Sequence, residues 1–93
     1  MPYMTKNEFL AYLGANQLPD PILVEQPANG ELGVHTHDFV VNALVTEGEI
    51  RINCNGIEKL YQVGDVFHLE HKEPHYESYG PLGVKYLVSR KTV

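Results

Sequence analysis

His35 and His37 stand two residues apart, and a third histidine, His75, follows Pro74 far downstream. On an extended chain, residues two apart project from one face, so both imidazoles of the pair can reach a single ion. His75 can join them only if the intervening chain folds back, and a small barrel would bring its strand beside theirs. The residues Phe39, Val41, Ala43 and Val45 share the parity of the histidine pair, which predicts an apolar pocket around it. Tyr76 and Tyr79 could orient a substrate or donate a proton there. Both are also ordinary packing residues of a strand, and packing is the expectation for Tyr76.

The elements that must position these residues are short. Thr5-Lys6-Asn7-Glu8 has the capping-box form, so a helix is expected over about residues 6 to 13. Phe9, Leu10 and Leu13 are read as its apolar face and Gly14 as its stop, with the helix packed on the outside of a sheet. Pro19-Asp20-Pro21 ends any helix. From there the chain alternates short β-type runs with turn residues, the pattern of an all-β sandwich or barrel over about residues 22 to 90. Strands are expected at Ile22 to Glu25, Glu31 to Thr36, Phe39 to Thr46, Glu49 to Cys54, Ile57 to Gln62, Asp65 to Leu69, Tyr76 to Tyr79 and Val84 to Ser89. Asn55-Gly56 predicts a type I′ hairpin turn, and Glu47-Gly48 a second tight connection. Val40 to Val45 is apolar on both faces apart from Asn42, so both faces should be covered.

Composition narrows the classes. The 93 residues make one domain, 1–93, and a chain this short buries only about two-thirds of its surface. With 43% hydrophobic and 20% charged residues it reads as an ordinary globular protein. No apolar run approaches the roughly 18 residues of a membrane span. The start lacks the form of a secretory signal, so a cytoplasmic location is the expectation. Seven Lys and Arg against twelve Asp and Glu give a net charge of −5 with no clustered basic face, which disfavours nucleic acid. The single Cys54 cannot form an internal disulfide and reads as a small buried apolar residue. Open sheet edges and the doubly apolar strand predict a homodimer.

His35-Thr36-His37 with Gly48, and Gly64-Asp65 with His75, resemble the two sequence motifs of the cupin superfamily, here separated by residues 49 to 63 as in small single-domain cupins. The resemblance implies a cupin-type double-stranded β-helix, a jelly-roll barrel, behind one short N-terminal helix. The chain departs from the motifs at several positions. The carboxylate of the first motif falls on Val41, and the glycine before His35 is displaced. In the second, the proline falls on Glu70, the glycine on Lys72 and the asparagine on Tyr79. The family's four-ligand site is therefore expected to reduce to His35, His37 and His75, a legitimate set for Zn, Fe, Ni or Cu with open positions. His71, or Glu70, could stand in for the missing carboxylate if its loop turned inward, although both also read as solvated residues. Tyr79 and Glu70 remain candidates for acid/base work. Metal affinity should fall as the pH drops towards about 6, because each imidazole must be neutral to bind. The competing expectation is a metal-free polar cavity whose histidines hydrogen-bond to neighbours or to a bound anionic ligand. Binding or sensing of a small molecule is slightly favoured over a metal-dependent enzyme such as a three-His iron dioxygenase or a small-molecule isomerase, because no general base is evident near the histidines.

Overall fold

Two strands are much longer than the turn residues in the sequence imply. In the computed structural model, which describes residues 3–93, β3 runs unbroken over Phe39–Cys54 and β6 over His75–Thr92. The tight connection expected at Glu47-Gly48 is absent, and Gly80 to Gly83 does not divide two strands. At these points the strands bulge and bend. The β3–β6 register shifts between Val45 and Glu47 and again between Gly48 and Ile50, and such a shift turns a strand without ending its ladder. Gly48 has φ 71° at this corner, and a side chain there would run into the Gly83 carbonyl of the opposing strand. The crossing therefore needs glycine.

Because β3 and β6 bend together, each serves two layers. The first half of β3 lies between β5 (Val66–Leu69) and the end of β6, whose far edge carries β1 (Ile22–Gln26). Its second half lies between β4 (Ile57–Gln62) and the start of β6, whose far edge carries β2 (Glu31–His35). The result is a jelly-roll barrel of two antiparallel layers, β1-β6-β3-β5 and β2-β6-β3-β4. The β3–β4 hairpin turns at Asn55 and Gly56, with φ 53° and 80°, the two positive values of a type I′ turn.

Between the layers lie Val41, Ala43, Val45, Ile50, Ile52 and Phe67, with further apolar neighbours. Leu44 points the other way and is 2% exposed, covered by Phe9 and Leu13 of α1 (Lys6–Ala15). This accounts for the strand read as apolar on both faces. Each such buried side chain contributes about 1.5–3 kcal/mol. The capping box forms as read, with Glu8 N–H donating to Thr5 Oγ1 and Thr5 N–H to Glu8 Oε1. Gly14 does not stop the helix. Gln17 takes the left-handed turn (φ 54°), with its N–H donating to the Gly14 carbonyl and the Leu18 N–H to that of Leu13. This Schellman ending folds Leu18 back into the cluster with Leu13. Leu10 is 40% exposed, because successive helical residues point about 100° apart. No helix among the described residues is long and apolar enough to cross a membrane.

Gly48→Ala should destabilise the protein by at least about 2 kcal/mol, combining a strained φ with a backbone collision. The urea midpoint measures it, and a loss below about 0.5 kcal/mol would mean that the corner yields.

Candidate metal centre

The pairing of β2 with β6 sets His35 directly opposite His75, a position in which facing side chains touch. Their ring centroids lie 4.1 Å apart. His37 lies just beyond the end of β2, so strand alternation, expected from the two-residue spacing, does not place it. The loop before His75 does so instead: the Lys72 N–H donates to the His37 carbonyl at 2.6 Å. Lys72 reaches that bond from φ 59°, the left-handed backbone expected of a glycine at this motif position. The turn is kept at a cost of about 1–2 kcal/mol for the side chain. The His37 ring then sits 5.0 Å from His35 and 4.9 Å from His75. One ligand atom from each of the three histidines lies within 4.8 Å of the others.

Hydrogen bonds fix which nitrogens face this point. His35 Nδ1 lies 2.6 Å from the Gly33 carbonyl and His75 Nδ1 2.9 Å from the Glu73 carbonyl. A carbonyl only accepts, so in each neutral ring the proton sits on Nδ1 and Nε2 carries a lone pair. His35 Nε2, His75 Nε2 and His37 Nδ1 are buried and have no partner among the described residues. Burial, followed by the neighbouring His75, His35 and Arg90, lowers the His37 pKa and so favours its neutral ring.

The sequence reading missed one member. Glu77 follows His75 by two residues on β6 and shares its inward face, 5% exposed. Its Oε2 lies 3.6 Å from His75 Nε2 and 3.9 Å from His35 Nε2. The spacing that singled out His35 and His37 recurs at His75, Glu77 and Tyr79, and was the available signal. Tyr79 is buried in the core, where its hydroxyl donates to Glu77 Oε1 at 2.8 Å. Burial, and then this bond, push that hydroxyl well above the usual phenol range, so it stays a donor.

The other expected residues lie elsewhere. Glu70 is exposed and pairs with His68 Nε2 at 2.8 Å. His71 is exposed and outside the cluster. Phe39 and Val41 do line the cavity, about 210 Å³ in volume, together with Phe67, Leu69 and Val88. Ala43 and Val45 lie deeper, in the packed core, because β3 runs away from the cavity there. Cys54 is partly buried against that core, and burial raises its pKa. Arg90 lines the cavity and stacks 5.4 Å above the Phe39 ring.

With the fold in view, comparison with solved structures places it. An RmlC-like cupin from Shewanella frigidimarina superposes with a TM-score of 0.65 at 24% identity, over 80% of this chain and 68% of that one. The cupin domain of Schizosaccharomyces pombe Cnp3 gives 0.69 at 19%, over 81% and 58%. The DMSP lyase DddQ from Ruegeria pomeroyi gives 0.67 at 20%, over 74% and 36%. The chain thus folds as a small cupin barrel, spanning between about a third and two-thirds of those chains. No protein-family model and no curated sequence matches it.

Lys72→Gly should leave the site intact and stabilise the protein by up to about 1 kcal/mol, the relief of φ strain being partly offset by added chain entropy. A urea midpoint that fell would show that the lysine side chain stabilises this loop.

Proposed function

We propose that this protein binds a divalent transition metal through His35, His37 and His75 and holds a small molecule beside it in the barrel cavity. The observation that carries the reading is the set of three buried, partnerless imidazole nitrogens converging on one point. A buried polar atom without a partner costs about 1–3 kcal/mol. Three together are a poor way to build a core and a good way to build a cation site. Nitrogen donors of this kind suit Zn, Fe, Ni or Cu. A bound ion would act as a Lewis acid on an oxygen of the ligand.

The chain's own residues shape what enters. Phe39, Val41, Leu69 and Val88 give the cavity apolar walls. Arg90 is the cavity's cationic group and has no carboxylate partner among the described residues. A small anionic molecule fits this combination, and the modest cavity favours one below drug size. Binding or sensing is the primary reading. The enzymatic alternative gains from Glu77, a carboxylate beside the imidazoles where the sequence had shown no general base. The neighbouring folds do not choose between these, since one is named a DMSP lyase and another the cupin domain of Cnp3.

Protein purified without added metal should contain close to one ion per chain by elemental analysis. Metal at a hundredfold excess over its Kd should stabilise the apoprotein by about 2.7 kcal/mol, a rise of roughly 10–20 °C in Tm. His37→Ala and His75→Ala should lose both. Equal metal content in wild type and variants would end the three-histidine reading.

The reading extends to a homodimer, supported by the exposed Ile22 and Leu23 on edge strand β1. Light scattering at micromolar concentration should give twice the 10.5 kDa chain mass. A monomer mass would remove the dimer.

A further inference from the structure

The geometry points to Glu77 as a fourth ligand of the same centre, a carboxylate supplied from β6, with Tyr79 as the residue that positions it. This rests on the three-histidine reading and adds to it a donor that the sequence motifs do not contain.

The argument begins with what Glu77 lacks. It is 5% exposed, and buried carboxylates are ordinarily paired with a cation or several donors. Among the described residues, no Lys or Arg lies within ion-pair distance, and its only side-chain donor is the Tyr79 hydroxyl, on Oε1. Oε2 faces His75 Nε2 at 3.6 Å and His35 Nε2 at 3.9 Å. Both separations are too long for a hydrogen bond. In the neutral rings both nitrogens present lone pairs, because their Nδ1 protons are committed to Gly33 and Glu73. Three acceptors therefore face one another with no donor between them.

Such a group is satisfied by a cation placed among its members. Two donors bound to one tetrahedral ion at about 2.0–2.2 Å sit roughly 3.4 Å apart, close to the separations here. Tyr79 completes the arrangement. By donating to Oε1 it leaves Oε2 free and aimed at the histidines, as outer hydrogen bonds orient ligating carboxylates. Val41, at the motif position of the missing carboxylate, is 4% exposed among apolar neighbours, so nothing competes for the role from that strand.

The test is Co²⁺ titration of metal-free wild type, Glu77→Gln and Tyr79→Phe, read by the visible absorption of the bound ion, beside the Tm of each metal-free protein. Wild type should bind one equivalent. Glu77→Gln should weaken binding by at least a hundredfold or so and change the absorption envelope, with Tyr79→Phe weakening it about tenfold. Metal-free Glu77→Gln should melt higher than wild type, since an amide N–H can donate to a histidine lone pair. If Glu77 were only the partner of a protonated histidine, the same substitution would lower Tm and leave the Co²⁺ spectrum unchanged, which would overturn the assignment while sparing the three histidines. A wild type that binds no Co²⁺ would overturn both.

Discussion

Everything in this barrel depends on β3 and β6 staying paired through their shared bend. Each strand crosses from one layer to the other without a break, so one ladder ties both layers together. That economy suits a chain of 93 residues, which cannot support two separately stable sheets. The cost is concentrated at one crossing, where Gly48 must pass close to Gly83. The same continuity sets the site. The stretch of β6 that begins at His75 is held in register by β2 on one side and by β3 on the other, so His75 and Glu77 stand on a strand with no free edge.

The centre runs against the stability of the barrel that holds it. A close-packed apolar core would replace His75 and Glu77 with hydrophobic residues and avoid burying acceptors that the chain leaves without donors. The protein instead spends hydrogen bonds on arranging the conflict: the Gly33 and Glu73 carbonyls turn the ring protons away, and Tyr79 turns a carboxylate oxygen inward. In a locally unfavourable cluster supported from behind in this way, sequence pattern and folding preference part company.

Features that depend on neighbours in sequence were legible from the sequence. The capping box at Thr5 and Glu8 and the turn at Asn55-Gly56 need only local chemistry, and both form as read. His35, His37 and His75 were identified by type and spacing, and the fold brings them together. What failed needed a partner strand to interpret. Gly48 gives the same signal in a turn and in a bulge, and only Gly83 across the ladder distinguishes them. Gln17, in place of Gly14, takes the left-handed turn because Leu18 has a hydrophobic cluster to return to. Glu77 was hidden for a related reason. Motif spacing points to Val41, whereas the face that Glu77 presents follows from its place on β6 opposite β2.

Where the carboxylate sits decides what the rest of the cavity can be. The centre is a point between two layers, and any strand passing it with an inward residue can supply a donor. Val41 belongs to the layer β1-β6-β3-β5, whereas His35, His75 and Glu77 belong to β2-β6-β3-β4. His35, His75 and Glu77 thus stand on a single layer, and the facing wall, with Val41, Leu69 and Val88, is apolar up to Arg90 at the end of its strand. A molecule entering between the layers would meet the polar cluster on one side and hydrocarbon on the other, and it would find a cation along that second wall. An acid at position 41 would divide that wall with a charge, whereas Glu77 on β6 leaves it continuous. If Glu77 is the fourth ligand, the apolar wall and the carboxylate on β6 are two consequences of the same exchange between strands.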